Sequence, residues 1–290
     1  MYMQEDSVLW IPDKFILLDK CALQCLSMSE LPVLSNHNLL LVDMFLIENL
    51  KDQTRVRDEE EIITKLRCLE KTYWLPHWHI LTLNELLGGL PIKKSLEPLS
   101  QILDDPIRFK KQKYLANKVA LGLDNRAWLF VNPNSEFLKV NINNSDWAGL
   151  LDMVLEYINN NTEICIDLCC KVFQATPKMK ERIFQRWQAN LRPNLRAFAP
   201  YSHYILALEL TIIAHILKSK GNHKKEILRD LSYVYYVYGL DITFHTCDQK
   251  LMKIINQIDW FNGLNKKVVS FYNNDNGTPN KAQWIETLKK

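Results

Sequence analysis

Apolar residues near the start of the chain bunch rather than alternate. Phe15-Ile16-Leu17-Leu18 runs unbroken from Lys14 to Asp19, and Leu39-Leu40-Leu41-Val42 runs unbroken up to Asp43. Short apolar runs with polar ends suit strands buried on both faces, as in a parallel sheet. Asp43 is a residue type that caps helix N-termini, and Met44 to Lys51 continues with helical character, so the second run reads as a strand feeding a helix. Cys21 to Asn36 is long enough for a crossover helix, and the opening segment therefore predicts a βαβα unit of a parallel sheet.

From residue 58 to about 228 the spacing becomes helical, in Asp58 to Leu69, Pro106 to Leu121, Asp146 to Ile158, Thr162 to Phe173 and Ser202 to Lys218. Trp128-Leu129-Phe130-Val131 before Asn132-Pro133 is the one strand candidate in this stretch. The C-terminal part returns to α/β texture: a helix over Asp230 to Gly239, a strand over Asp241 to His245, and a helix restarting at Leu251. The expected fold is α/β, with a central parallel sheet made by residues 1–57 and 226–290 and a mostly helical insertion over 58–225. In open sheets of this kind ligands sit beyond the carboxyl ends of the strands, so the two ends of the chain are expected to share one site.

Composition narrows this picture only slightly. With 290 residues, 47% hydrophobic and 24% charged, and only 8 Gly and 11 Pro, the chain reads as an ordinary folded protein. A net charge of +3 is too small to mark a nucleic-acid binder, so any basic surface must be local. Tyr204 to Leu217, the longest apolar stretch, contains Glu209 and His215 and falls short of the ~20 residues a spanning helix needs, so no membrane association is expected. Seven irregularly spaced cysteines and an N-terminus carrying acids and a Pro point to a cytoplasmic protein without a signal peptide.

Four acids stand where a strand-end site would form: Asp19, Glu48, Asp230 and Asp248. Clustered carboxylates repel one another unless a hard cation such as Mg²⁺ or Mn²⁺ neutralises them, and such an ion activates water and stabilises charge on a phosphodiester. Taken singly, Asp19 and Asp230 also read as helix caps. The segment Asp230 to Asp248 resembles the closing motif of the PIN-domain nucleases: an acid opening a helix, a small turn, an apolar strand, then Thr-x-Asp, with Thr246 and Asp248 lying 16 and 18 residues beyond Asp230. Phe15 to Asp19 resembles the opening strand and acid of that family, and Val42 to Leu50 its second motif.

The resemblance covers residues 12 to 55 and 226 to 270. It implies a PIN-like three-layer α/β/α sandwich whose acids, Asp19, Glu48, Asp230 and Asp248, bind Mg²⁺ or Mn²⁺ and hydrolyse phosphodiester bonds, of single-stranded RNA ahead of DNA. Thr246 matches the small hydroxyl residue that supports the last acid, and Asp43 competes with Glu48 for the second position. Family habits further suggest a toxin or defence effector, with a regulatory protein partner or a homo-oligomer among its assemblies. Against this stands a different class, an interaction protein whose PIN-like ends are a degenerate scaffold, and Lys20 beside Asp19 is the feature that speaks for it.

Elsewhere, Lys178 to Arg196 interleaves basic and aromatic residues. Lys180, Arg182, Arg186 and Arg192 are candidate phosphate contacts, with Phe184, Trp187 and Phe198 available to stack on bases. The alternative is an amphipathic helix with Ile183, Phe184 and Trp187 in the core. Tyr233, Tyr235, Tyr236 and Tyr238 read first as packing and second as base-stacking residues. His77-Trp78-His79 lacks partners at zinc spacing, and Cys165, Cys169 and Cys170 read as small buried hydrophobes on one helix.

Overall fold

A computed structural model of the chain describes residues 15–42, 45, 56–89, 96–111, 114, 147–218, 232–240, 242–249, 251–252, 268–270 and 280–289. Of these, the residues between Ile11 and His77, between Lys93 and Ala120 and from Arg229 onward form one compact unit; those in Trp78–Ile92 and Leu121–Leu228 form another. Among the described residues the strands are β1 (Phe15–Leu18), β2 (Asn38–Val42), β3 (Thr72–Leu75), β4 (Glu97–Pro98), β5 (Thr243–Thr246) and β6 (Val268–Ser270). The helices are α1 (Lys20–Cys25), α2 (Val56–Arg67), α3 (Trp78–Leu86), α4 (Leu99–Leu103), α5 (Trp147–Asn160), α6 (Thr162–Val172), α7 (Pro177–Ala189), α8 (Leu195–Phe198), α9 (Pro200–Lys218), α10 (Ser232–Leu240) and α11 (Lys281–Leu288). No helix among the described residues is long and apolar enough to cross a membrane.

The first unit is built on a six-stranded sheet in the order β4-β3-β2-β1-β5-β6. Neighbouring strands are parallel except β3 and β4, which run antiparallel. The apolar runs account for the middle of this sheet: every residue of β1 is buried, as are Leu39 to Val42 of β2 and Phe244 to Thr246 of β5. Side chains of a strand point alternately to its two faces, so burial of consecutive residues means that both faces are covered. Helix α1 packs on β5 and α2, α10 on β5, and α4 on β3 and β4. The Tyr233 ring of α10 stacks on Phe244 of β5 at 5.0 Å and 12°. Lys65 of α2 is buried with its ammonium 3.4 Å from the carbonyls of Leu23 and Gln24 and 2.7 Å from Glu61, placing a positive charge where the α1 dipole is negative.

Two features depart from the sequence expectation. Strands β3 and β4 come from within residues 58–225, which the sequence assigns to a helical insertion, and the sheet is mixed rather than parallel because β4 is an antiparallel edge strand. The physical reasons are local. Thr72-Tyr73-Trp74-Leu75 is a good β-former but only four residues long and is followed at once by Pro76, while Glu97-Pro98 is a two-residue strand whose Pro is tolerated at a sheet edge. The helical unit accordingly includes α3, which starts at Trp78. Strand β6, three residues paired to β5, is a further element without a sequence signature of its own. The strand candidate Trp128 to Val131 and the helix start at Asp43 lie outside the described residues.

In the helical unit α9 packs on α3, α5 and α8. Its N-terminus is capped by a side chain from elsewhere: the buried Glu85 carboxylate on α3 accepts from the Tyr201 amide at 2.9 Å, the Ser202 amide at 2.7 Å and the Ser202 hydroxyl at 2.6 Å. These donors answer part of the desolvation that raises the Glu85 pKa. Arg186 of α7 closes the other end of α3, donating to the Glu85 and Leu86 carbonyls at 3.1 and 2.9 Å. Helix α3 stops at Gly88, whose φ of +73° is the left-handed conformation of a helix C-terminus.

Gly88→Ala should destabilise the protein by about 1–2 kcal/mol for the left-handed backbone alone. A Cβ at this position would also lie 2.8 Å from Arg186 Nε, which is pinned by its two carbonyl bonds. In urea unfolding, the cost of Gly88→Ala should therefore shrink in an Arg186→Ala background. An unchanged midpoint in the single variant would contradict the assignment.

Candidate active site

The register of the two central strands builds the site. Leu18 pairs with His245 across β1 and β5, so the next residues, Asp19 and Thr246, arrive together at the carboxyl ends. The sheet order turns at this place, because the chain leaves β1 toward β2 on one side and β5 toward β6 on the other. Crevices at such switch points are where open α/β sheets receive ligands.

Asp19 is the hub. It is the N-cap of α1, its Oδ1 accepting from the Ala22 amide at 2.7 Å. Its Oδ2 accepts a short hydrogen bond from the Thr246 hydroxyl, and the Cys21 thiol donates to both carboxylate oxygens at 3.0 and 3.1 Å. The residue is only 4% exposed. Burial raises the carboxyl to about 6 against the opposing pull of the Thr246, Cys21 and Ala22 donors, and the charge of Asp248 adds to the rise. Thr246 relays between the acids: its hydroxyl oxygen accepts from the Asp248 amide at 2.9 Å. Asp248 is half-buried and begins the next helical turn, its Oδ1 accepting from the Leu251 amide at 3.1 Å.

Of the acids expected here, the structure thus brings Asp19 and Asp248 together with Thr246, while Asp43, Glu48 and Asp230 lie outside the described residues. Two oxygen donors suit a hard cation in kind. No group of three His, Cys, Asp or Glu among the described residues is placed to hold an ion, so Asp19 and Asp248 are a partial donor set.

Three thiols surround this hub that the sequence did not single out as a group. Cys247 donates its amide to Cys21 Sγ at 3.2 Å, and its own Sγ lies 3.4 Å from that of Cys25. The contact to Cys247, with weaker help from the charges of Lys281 and Lys65, lowers the Cys25 thiol to about 7 against its burial. The one sequence signal was that Cys21 and Cys25 share a face of α1 at i, i+4; their meeting with Cys247 needed the strand register. His245 does not serve Cys247 as a base: it is buried, and its Nδ1 accepts from Trp284 Nε1 at 3.0 Å.

The basic helix in the other unit is only partly free to meet a ligand. Ile183 and Trp187 of α7 are buried, as the amphipathic reading has it, and Trp187 Nε1 donates to the Pro193 carbonyl at 2.8 Å. Lys180 pairs with Asp167, and Arg186 is spent on α3 and lies 4.5 Å over the buried Phe198 ring. Arg182 and Arg192 are exposed, the latter 5.9 Å over the Trp187 ring. Trp187 and Phe198 are therefore core residues and not stacking surfaces, while Tyr233, Tyr235 and Tyr236 are buried, as their first reading as packing residues expects. The Tyr238 side chain lies outside the described residues. His77 is buried beyond the end of β3 and His79 lies on α3. Cys165, Cys169 and Cys170 are buried on α6, and desolvation pushes the Cys165 thiol up to about 12.

No family model, curated protein or solved structure matches this chain.

The raised carboxyl of Asp19 has a measurable consequence for the metal-free protein. Its folded pKa of about 6 lies above the ordinary 3.8, so protonation favours the folded state; that stabilisation is complete below 3.8 and is lost as pH rises through about 6. In EDTA, the unfolding free energy of the wild type relative to Asp19→Asn should fall by on the order of 3 kcal/mol between pH 4 and 7.5. A pH-independent difference between the two proteins would show that Asp19 keeps an ordinary pKa.

Proposed function

We propose that this chain is a PIN-like, Mg²⁺- or Mn²⁺-dependent endonuclease acting on single-stranded RNA ahead of DNA. The observation that carries the reading is the meeting of Asp19 with Thr246 and Asp248 at the carboxyl ends of β1 and β5, where the sheet order turns. A site at a switch point lined by carboxylates selects cations and, through them, phosphates. Asp19 and Asp248 hold the ion, with Asp43, Glu48 and Asp230 as the remaining acids proposed for the same site. When bound, the ion supplies a water of lowered pKa and positive charge for the phosphodiester.

The chain's own part is positioning. Thr246 fixes the distance between the two acids by donating to one and accepting from the backbone of the other. Asp19 cannot swing away, because the α1 N-terminus and Cys21 also hold it. Its carboxyl, raised to about 6 by burial, holds a proton below that pH, and there ion binding is coupled to proton release. Arg182 and Arg192, the exposed cations of the basic segment, are the proposed phosphate contacts, and Lys180 and Arg186 serve the helical unit itself.

A second reading, an interaction protein on a degenerate nuclease scaffold, also has an observation in its favour: Asp19 is almost fully buried and already satisfied by three protein donors. Cleavage of labelled single-stranded RNA and DNA with Mn²⁺, Mg²⁺ or EDTA separates the two. The nuclease reading expects metal-dependent cutting that Asp248→Asn lowers by about two orders of magnitude or more, since even outer-sphere changes at metal sites cost ten- to a hundredfold. The variant should keep its unfolding midpoint. A folded wild type that neither cuts nor binds Mn²⁺ in calorimetry would overturn the nuclease and leave the scaffold.

A further inference from the structure

The sulfur atoms of Cys25 and Cys247 are 3.4 Å apart although 222 residues separate them in sequence. Every cysteine described is a free thiol. Cys25 is the last residue of α1 and exposed; Cys247 is half-buried in the turn between Thr246 and Asp248. Their meeting follows from the architecture: α1 starts at the end of β1, β1 and β5 lie side by side, and α1 packs on β5. One thiol open to solvent against a second within van der Waals reach is the arrangement of an attacking and a resolving cysteine. The other cysteines differ: Cys21 is half-buried with its thiol donating to the Asp19 carboxylate, Cys165, Cys169 and Cys170 are buried, and Cys68 lies on the surface after α2.

We propose that Cys25 and Cys247 form a peroxide-responsive dithiol, an oxidative modification site that closes a disulfide beside Asp19, Thr246 and Asp248. The Cys25 thiolate attacks one oxygen of hydrogen peroxide. An S–O bond forms as the O–O bond breaks, and the leaving hydroxide takes a proton to become water, so that Cys25 becomes a sulfenic acid. The Cys247 sulfur then displaces that hydroxyl. The S–S bond forms, the S–O bond breaks, and the hydroxide leaves as a second water with the Cys247 proton. Two thiols supply two electrons, and peroxide is reduced to two waters. Closing the bond asks the sulfurs to move from 3.4 Å to about 2.05 Å, a shift that side-chain rotations at the last residue of a short helix can supply.

The bond would tie the turn carrying Asp248 to the end of α1, next to the Thr246 hydroxyl that bridges the two acids. The dithiol stands on its own geometry, whatever chemistry the carboxylates perform.

The test uses the reduced full-length chain, treated with hydrogen peroxide, alkylated, digested and examined by mass spectrometry. The expected product is a peptide pair joined through Cys25 and Cys247, lighter than the two thiol peptides by two hydrogen atoms and restored by dithiothreitol. In Cys247→Ser the reaction should stop at the sulfenic acid, trapped on Cys25 by dimedone, and Cys25→Ser should give neither cross-link nor adduct at that helix. Recovery of both cysteines as alkylated thiols after peroxide would overturn the proposal. So would a cross-link that joins other cysteines, or dimedone labelling confined to Cys68.

Discussion

A carboxylate taken out of water has to be met by donors, and at Asp19 those donors come from two segments of chain that are remote in sequence. The Ala22 amide and the Cys21 thiol belong to the helix that Asp19 itself starts; the Thr246 hydroxyl belongs to β5. The same residue is tied through its backbone, its amide donating to the His245 carbonyl at 3.3 Å and its carbonyl accepting from Leu23 at 3.4 Å. One side chain therefore sets where β1 ends, how α1 departs and at what height β5 stops. Everything proposed at this edge of the sheet, the pairing of acids and the meeting of thiols alike, depends on that knot.

The parts of this arrangement that were legible in sequence are those with a local signature. Phe15 to Leu18 and Leu39 to Val42 are apolar runs stopped by an acid, and both are strands; Thr243 to His245 is extended, with Ile242, Phe244 and His245 buried, as its β-branched and aromatic character predicts. Asp19 is visible because it closes such a run, and Asp248 because it follows a strand candidate in a Thr-x-Asp pattern. What the sequence hid is what depends on partners. Strand β4 is two residues long and pairs with β3 at the sheet edge, and β3, with four residues, is too short for its periodicity to separate it from its helical surroundings. Cys21 and Cys25 could be placed on one helix face, yet nothing in the linear order says that this face looks at Cys247. That information lies in the register of β1 on β5.

The basic, aromatic segment shows the same limit from the opposite side. Its composition is that of a nucleic-acid surface, but composition does not say which way a cation points. Arg186 is the clearest instance: one guanidinium nitrogen, Nη1, donates to two carbonyls at the end of α3, an end that would otherwise leave orphan acceptors, and its flat face covers Phe198. Glu85, a few residues before that helix end, caps α9 in turn. Two charged side chains, one of them from a segment whose composition suggests recognition, are here used to join three helices.

Helix capping and ion binding make competing demands on the same atoms, and the geometry at Asp19 shows how they can coexist. An N-cap needs one carboxylate oxygen; Oδ1 supplies it to Ala22, and the Cys21 thiol, a weak donor, is the contact most easily given up. Oδ2 is committed to the Thr246 hydroxyl, but a hydroxyl rotates, and Thr246 already has a second role in accepting from Asp248. A cation arriving between the acids would thus replace the weakest donor first and leave the cap intact. In its absence the burial that raises the Asp19 pKa favours a proton in the same place, so a proton and the proposed cation would compete for one desolvated carboxylate. The three protein donors that make Asp19 look like a purely structural residue would then also keep it in position for the proposed ion.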